Sequence, residues 1–194
     1  MHRASAACVA ALVVLLSPIS SWAAWLDADA PAAFNQRGAA LPPAPGVQGN
    51  DDPRCRESER PAETAEDRSV VAKGWRLFHS YQAGWDIKVI WALSGYDGMC
   101  RPWGYQAFVF ASGVFAGTMS PKPMDARTDA SLFSVQLLSR VVGPDPLVAT
   151  FERYAESDPL GGPSRRTVVR YRIDRSQPVP LLGPVSASSA AAER

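Results

Sequence analysis

The sequence predicts an α+β domain in which an antiparallel β-sheet of about five to seven strands is covered by one N-terminal helix. After Gly74, apolar and polar side chains alternate along several short segments, which is the period of a β-strand. Tight-turn signals separate these segments, so neighbouring strands are expected to pair antiparallel. One stretch with helix-start and helix-stop residues precedes them.

The helix is predicted at 61–73, in "PAETAEDRSVVAKG". Pro61 suits a first turn, acidic residues follow it near the positive end of the helix dipole, and Gly74 ends the segment. The strand segments come next. They are "WRLF", "DIKVIWALS", "YQAFVFA", "VFAGTM", "LFSVQLLSRV", "LVATFERYA" and "RTVVRYRI", with turns at Ser112-Gly113 and at 143–146. One apolar face per strand predicts a sheet that is wet on one side and covered by the helix on the other.

Residues 1–23 are predicted to be a signal peptide. An uncharged run from Ala4 to Leu16 is too short to cross a bilayer, and the small residues Ser21 and Ala23 suit cleavage after Ala23. The expected location is therefore periplasmic or extracellular, with no transmembrane segment once the leader is removed. A retained membrane anchor is the alternative.

The other boundaries come from composition. Prolines and glycines interrupt 24–54, which predicts a linker or a wrapped arm. A single domain is expected at 55–174, of ordinary size for one core. The end of the chain, 175–194, has three prolines and the stretch "SASSAAAER", and it is predicted to be disordered.

Charge and cysteine content limit the chemistry. The chain has 20 Lys+Arg and 19 Asp+Glu, and loss of the leader removes one arginine, so the mature protein is near neutral. Nucleic-acid binding usually requires a basic excess, so a nucleic-acid partner is not expected. Cys55 and Cys100 remain after export, and an even count in an exported chain favours a disulfide, for which chain entropy suggests about 4 kcal/mol. Two free thiols are the alternative.

Several segments together resemble the LppP/LprE family of exported bacterial proteins, named for mycobacterial lipoproteins. They are "DGMCRP", "YQ", "FVF", "GVFAGTMSP", "MDARTDAS" and "RYAESDPLGGPS", within about residues 68–173. The resemblance implies an extracytoplasmic location and brings no established activity. This chain has no cysteine suited to lipidation after the leader. Relatives tend to have a Cys-Cys pair where Gly161-Gly162 stands here, which leaves open whether Cys55 and Cys100 bond to each other.

No catalytic, cofactor-binding or metal-binding residue is assigned. His79 is the only histidine after the leader, no nucleophile motif accompanies it, and a structural role is expected for it. Zinc ligands cannot be assembled from one histidine without a Cys-x-x-Cys, and no calcium-loop spacing occurs. The aromatic set Trp75, Phe78, Trp91, Phe108, Phe110, Phe115, Phe133 and Phe151 is expected to form the core rather than a pocket.

A possible binding face is formed by Arg166, Arg170 and Arg172, which alternate outward along the last predicted strand. A solvated face with cross-strand partners such as Glu152 is the alternative. The leading function hypothesis is a non-enzymatic binding or structural role in the cell envelope, with the partner unknown. The alternatives are a hydrolase that uses a carboxylate or His79, and an inhibitor of a secreted enzyme that acts through the turn at 156–164.

Overall fold

A computed structural model describes residues 23–46, 49–50, 52–138, 147–159 and 161–192. Its strands are β1 (Arg76–Leu77), β2 (Gln82–Gly84), β3 (Ile87–Leu93), β4 (Gly95–Tyr96), β5 (Pro102–Trp103), β6 (Gln106–Ala111), β7 (Val114–Thr118), β8 (Ser131–Leu137), β9 (Leu147–Arg153), β10 (Arg165–Asp174) and β11 (Leu181–Ala191). Its helices are the α-helix α1 (Ala65–Val71) and two 3-10 helices at Ala24–Leu26 and Pro53–Ser58. The predicted leader, apart from Ala23, and the predicted turn at 143–146 lie outside the described residues.

Two antiparallel sheets stack on each other. The first, here the helix-side sheet, has the order β1-β3-β6-β7 with β2 also paired to β3; the second, the open sheet, has the order β11-β10-β9-β8. Strands β4 and β5 form a separate hairpin. The prediction of antiparallel pairing is confirmed, but the strands divide between two main sheets, with a core between them.

The two sheets differ in how they meet water. In the open sheet, inward side chains on β10 are buried and outward ones are more exposed, as the alternation predicts. In the helix-side sheet, β3 and β6 are buried on both faces. Val89 and Val109 enter the core between the sheets, whereas Ile90 and Phe108 enter a second cluster under α1. The prediction of a wet face is therefore wrong for the helix-side sheet.

Helix α1 is shorter than predicted. Thr64 caps it, because its hydroxyl accepts from the Asp67 amide at 3.2 Å while the Asp67 carboxylate accepts from the Thr64 amide. This capping box starts the helix at Ala65 rather than near Pro61. A seven-residue helix covers only part of the sheet, and the arm at 41–44 covers more, with the Trp75 indole donating to Pro42 O at 2.8 Å.

The predicted linker is a packed arm. Trp25 makes edge contacts with Phe34 and Phe151, at centroid distances of 5.4 and 5.2 Å. The Asn35 amide donates to Thr118 O of β7 at 2.9 Å and to Leu182 O of β11 at 3.1 Å. The arm therefore joins the edges of both sheets.

The prediction of a disordered tail is wrong over Leu181–Ala191, which forms β11 and pairs with β10. Leu182 and Ala187 are buried in the core between the sheets. Pro184 is compatible with the strand because it stands at a register shift opposite Tyr171, where a missing backbone donor is tolerated.

The disulfide between Cys55 and Cys100 is confirmed. It joins the second 3-10 helix to the loop after β4, which the Asp97 carboxylate organises by accepting from the amides of Met99 at 2.8 Å and Arg101 at 2.9 Å. Gly161 and Gly162, where relatives tend to have cysteines, have open space around them. The Cys55–Cys100 bond is thus present in a chain that has glycines at 161 and 162.

Candidate ligand-binding cleft

A cleft of about 340 Å³ opens where the helix-side sheet meets the open sheet. We name it the His79 cleft. It is lined by Phe78, His79, Trp91, Pro102, Tyr105, Ala126, Arg127, Ser131, Leu132, Phe133, Glu152 and Tyr154. It draws on β3, β5, β8 and β9 and on the two residues after β1, so both sheets are needed to form it.

The floor of the cleft is a set of three buried aromatic rings. Phe78 meets Tyr105 edge-on at 6.1 Å and Trp91 at 6.2 Å, and Trp91 stacks on Tyr105 at 6.4 Å with an interplanar angle of 21°. The Tyr105 hydroxyl donates to Leu132 O at 3.0 Å, and burial raises the pKa of this phenol well above its usual value. The floor is thus a fixed apolar surface that stays uncharged at neutral pH.

The outer wall of the cleft contains Phe133, which the sequence pattern predicted to be a core residue. Phe133 is 57% exposed, because the register of β8 shifts between Leu132 and Ser134 and turns it outward. The Arg166 guanidinium lies 5.0 Å from the centre of its ring, a cation–π contact. The prediction of Phe133 as a core residue is therefore wrong, since a bulge interrupts the two-residue alternation.

His79 stands exposed at the rim, two residues after the end of β1, in a left-handed backbone conformation with φ of +55°. Its ring lies 4.6 Å from that of Phe78 and 6.4 Å from that of Trp91. Partial desolvation lowers the pKa of the imidazole, so the neutral form dominates at pH 7. Among the residues that the structure describes, none hydrogen-bonds the imidazole to orient it.

Glu152 and Tyr154 form the β9 side of the cleft. The Glu152 carboxylate accepts from Arg166 and from the Tyr154 hydroxyl, each at 3.4 Å. Burial and the nearby carboxylate raise the pKa of Tyr154. Arg166 faces Glu152 across the strand pair, so its charge is matched by a neighbour, as the cross-strand alternative for this face predicts.

Arg127 completes the mouth of the cleft, in a loop with a left-handed φ of +60°. The loop is braced by Asp125, whose carboxylate accepts from the Gly104 amide at 2.7 Å and whose carbonyl accepts from the hydroxyls of Thr128 and Ser131 at 2.8 and 2.6 Å. Arg127 also lines a neighbouring depression of about 310 Å³. Within the described part of the chain, no hydrogen bond or ion pair engages its guanidinium.

The predicted binding face is divided between the edge of the His79 cleft and the rest of β10. Arg166, Arg170 and Arg172 all point outward from β10, while Thr167, Val169, Tyr171 and Ile173 point inward. Arg166 belongs to the edge of the His79 cleft through Glu152 and Phe133, whereas Arg170 is exposed farther along the strand, opposite Val148 and Ser186. A binding role for this face stays a prediction.

Other predicted features can be placed. The turn at 156–164 is held by Asp158, whose carboxylate accepts from the amides of Ala155 and Ser164 at 2.7 and 2.8 Å, and its role as an inhibitory loop stays a prediction. In the described ranges, no three His, Cys, Asp or Glu side chains gather as a metal site. Nor does any helix in those ranges have the length and hydrophobicity needed to span a membrane.

Nothing in the order of the residues along the chain shows that Arg127, Glu152 and Tyr154 line one cleft. Arg127 and Tyr154 do belong to "MDARTDAS" and "RYAESDPLGGPS", two of the segments that carry the family resemblance. The family resemblance was therefore the one signal in the sequence that pointed to the segments of Arg127 and Tyr154. The spacing of the residues contains no hint that β9 brings them together beside His79.

The fold defines a β-sandwich protein with a solvent-open cleft between its sheets. Residues 80–176 match the LppP/LprE lipoprotein family, and the chain belongs to this family. Membership indicates an exported, envelope-associated protein. No curated protein and no solved structure matches the chain.

Proposed function

We propose that this protein has a non-enzymatic binding role in the bacterial cell envelope and that its ligand enters the His79 cleft. The single observation that carries the proposal is the composition of the cleft: a fixed aromatic floor with a few polar groups at its rim. Small-molecule sites usually have this make-up, and they commonly form where structural layers meet.

The exposed ring of Phe133 supports the same reading. A large aromatic side chain on a sheet surface costs hydration free energy unless a partner covers it. Arg166 contacts Phe133 without lining the cleft, so part of the ring remains available to a molecule inside. The ring and the floor would then enclose a ligand between two apolar surfaces.

Hydrolysis is the competing function, since His79 and Glu152 line the same cleft. A general base normally needs a partner that orients it, and Glu152 is already engaged by Arg166 and Tyr154. The contacts of the His79 ring are with Phe78 and Trp91, which supports a role as part of the wall.

Retention of the purified protein on isolated cell envelopes tests the proposal. We expect saturable retention that Phe133→Asn reduces several-fold, because the cleft loses its exposed ring. Trp85→Asn is the matched control: Trp85 is 58% exposed, does not line the cleft and has φ of +54°, which asparagine tolerates. Equal retention of both variants and wild type would remove the cleft from the proposal.

A substrate panel separates binding from catalysis. Glycan, ester and peptide substrates are expected to show no turnover with the wild-type protein. Turnover that disappears in His79→Ala would overturn the non-enzymatic role and establish the hydrolase instead.

A further inference from the structure

Three side chains in the lining of the His79 cleft can carry charge near neutral pH: His79, Arg127 and Glu152. Glu152 is neutralised by Arg166, which contacts it at 3.4 Å from outside the cleft lining. His79 is neutral at pH 7 because partial desolvation lowers its pKa. The guanidinium of Arg127 is the charge in the lining that makes no hydrogen bond or ion pair with a described residue, although the carboxylates of Glu156 and Asp158 border the neighbouring depression that Arg127 also lines.

We propose that Arg127 binds the carboxylate of a ring-bearing ligand whose ring packs on the aromatic floor of the His79 cleft. This inference rests on the proposed binding function and adds the chemical class of the ligand. The two parts of the ligand correspond to two parts of the site, the cation at the mouth and the apolar surface below it.

The chemistry of the guanidinium favours a carboxylate. Its planar fork of N–H donors matches the two oxygens of a carboxylate, and a guanidinium without an ion-pair partner can accept a single anionic group. Because an unpaired cation attracts anions from solution, Arg127 also gives the cleft its selectivity by charge.

Hydrogen bonds hold the backbone of the loop that contains Arg127. Hydroxyls of Thr128 and Ser131 and the amide of Gly104 all bond to Asp125, two residues before it. A braced loop loses less conformational entropy when a ligand binds than a loose one does. The arginine is therefore presented from a fixed turn beside the floor.

The aromatic lining of the cleft favours a ligand that contains a flat ring. Phe78, Trp91 and Tyr105 are fixed by contacts with each other and present only a small accessible part of their rings, and the exposed ring of Phe133 adds the larger apolar surface beside them. Flat apolar surfaces of this kind pack against the apolar face of a sugar or against another aromatic ring. An acidic sugar and an aromatic acid share the required chemistry, and the experiment distinguishes them.

The test is a titration of the full exported protein, followed by NMR of its backbone amides, with four probes. Glucuronate and glucose form one pair, and benzoate and benzyl alcohol form the other, so each acid has a neutral partner. We expect one acid to shift the amides of His79, Phe133 and Tyr154 saturably, and its neutral partner to bind at least ten-fold more weakly. The responding pair identifies the source of the carboxylate.

Variants assign the effect to Arg127. Arg127→Gln is expected to weaken binding of the acid about ten-fold or more and to leave the neutral probe unchanged, whereas Arg127→Lys should recover part of the loss. Arg170→Gln is the matched control, since Arg170 is also an exposed arginine and lies outside the cleft lining. Spectra with native dispersion verify that each variant is folded.

Two results would overturn the inference. One is the absence of saturable shifts with either acid, and the other is an equal loss of affinity in Arg127→Gln and Arg170→Gln. Neither result touches the proposed function if envelope retention still depends on Phe133. Loss of that dependence would instead remove the cleft-binding function itself.

Discussion

The two sheets share a core but use it differently. In the helix-side sheet, β3 and β6 are covered on both faces, by the open sheet on one and by α1 and the arm on the other. In the open sheet, the outward side of β9 and β10 has no such second layer among the described residues, and it contributes Glu152 and Arg166 to the cleft region. The comparison teaches that the helix-side sheet packs on both faces, whereas the open sheet packs on one face and leaves its polar outward side chains beside the cleft.

The largest expected effect comes from removing β11. A chain that ends at Ser176 loses Leu182 and Ala187 from the core and leaves β10 as an unprotected edge. We expect this truncated chain to lose cooperative unfolding, measured by circular dichroism during urea denaturation. An unchanged midpoint would mean that the open sheet does not depend on its last strand.

The next effect compares one phenylalanine from each sheet. Phe108 is fully buried under α1, with its ring 5.1 Å from that of Trp75, so Phe108→Ala should lower the free energy of unfolding by about 3–5 kcal/mol. Phe133→Ala, on the exposed side of the open sheet, should change it by about 0.5 kcal/mol or less. Similar losses in both variants, measured by chemical denaturation, would contradict the contrast between the sheets.

The disulfide should contribute less than the core of either sheet. Replacing both Cys55 and Cys100 by serine is expected to lower the free energy of unfolding by about 2–4 kcal/mol, because the bond restricts the unfolded chain. Denaturation of this variant beside the oxidised wild-type protein gives the value. Since neither cysteine lines the His79 cleft, ligand binding should remain intact in the folded variant.

The smallest expected effect is on how the free energy of unfolding depends on pH, through Asp67 in α1. Burial opposes ionisation of Asp67, but hydrogen bonds from Arg60 and from backbone amides outweigh it and lower its pKa in the folded protein. Stability from Asp67 is therefore present above the unfolded pKa of about 3.9 and is lost as pH falls through the lower folded value. Asp67→Asn should be less stable at pH 7 and should lose less stability between pH 5 and pH 2.5 than wild type.

The matched control for that measurement is Asp52→Asn. Asp52 also has a lowered pKa, about 2, through hydrogen bonds from Arg54, but its partner is an exposed side chain only two residues away. A local pair of this kind can persist in the unfolded chain, so the pH dependence of stability should resemble that of wild type. An equal change in both variants would argue against a special role for Asp67.

The sequence predicted those parts of the fold that depend on local patterns. The inward side chains of β3 and β10 follow directly from the alternation of apolar residues, and the disulfide follows from compartment and parity. The second covered face of β3 and β6 could not be predicted, because it depends on which distant segments pack there. The tail was mispredicted because small residues and prolines resemble disorder unless a long partner strand such as β10 is available.

The cleft could not be predicted from the sequence either, because it also depends on how distant segments pair. Phe133 follows the core pattern until a bulge in β8 turns it outward, and no residue type announces that bulge. Arg127 and Tyr154 are separated by more than twenty positions, and only the pairing of β8 with β9 brings their segments into one wall. Sites assembled from both sheets depend on register, which local composition does not specify.

The hydrogen bonds of Asn35 affect how readily the edge strands of this protein could pair with another copy. Its side chain bonds the amide and carbonyl of Thr118 and the carbonyl of Leu182, occupying main-chain groups on two border strands, and the Asp29 carbonyl accepts from the Ala187 amide nearby. Main-chain groups left open along such a border are templates on which another molecule can add a strand. Because the arm occupies these groups, loss of the Asn35 side chain is expected to expose both strand edges and to favour aggregation.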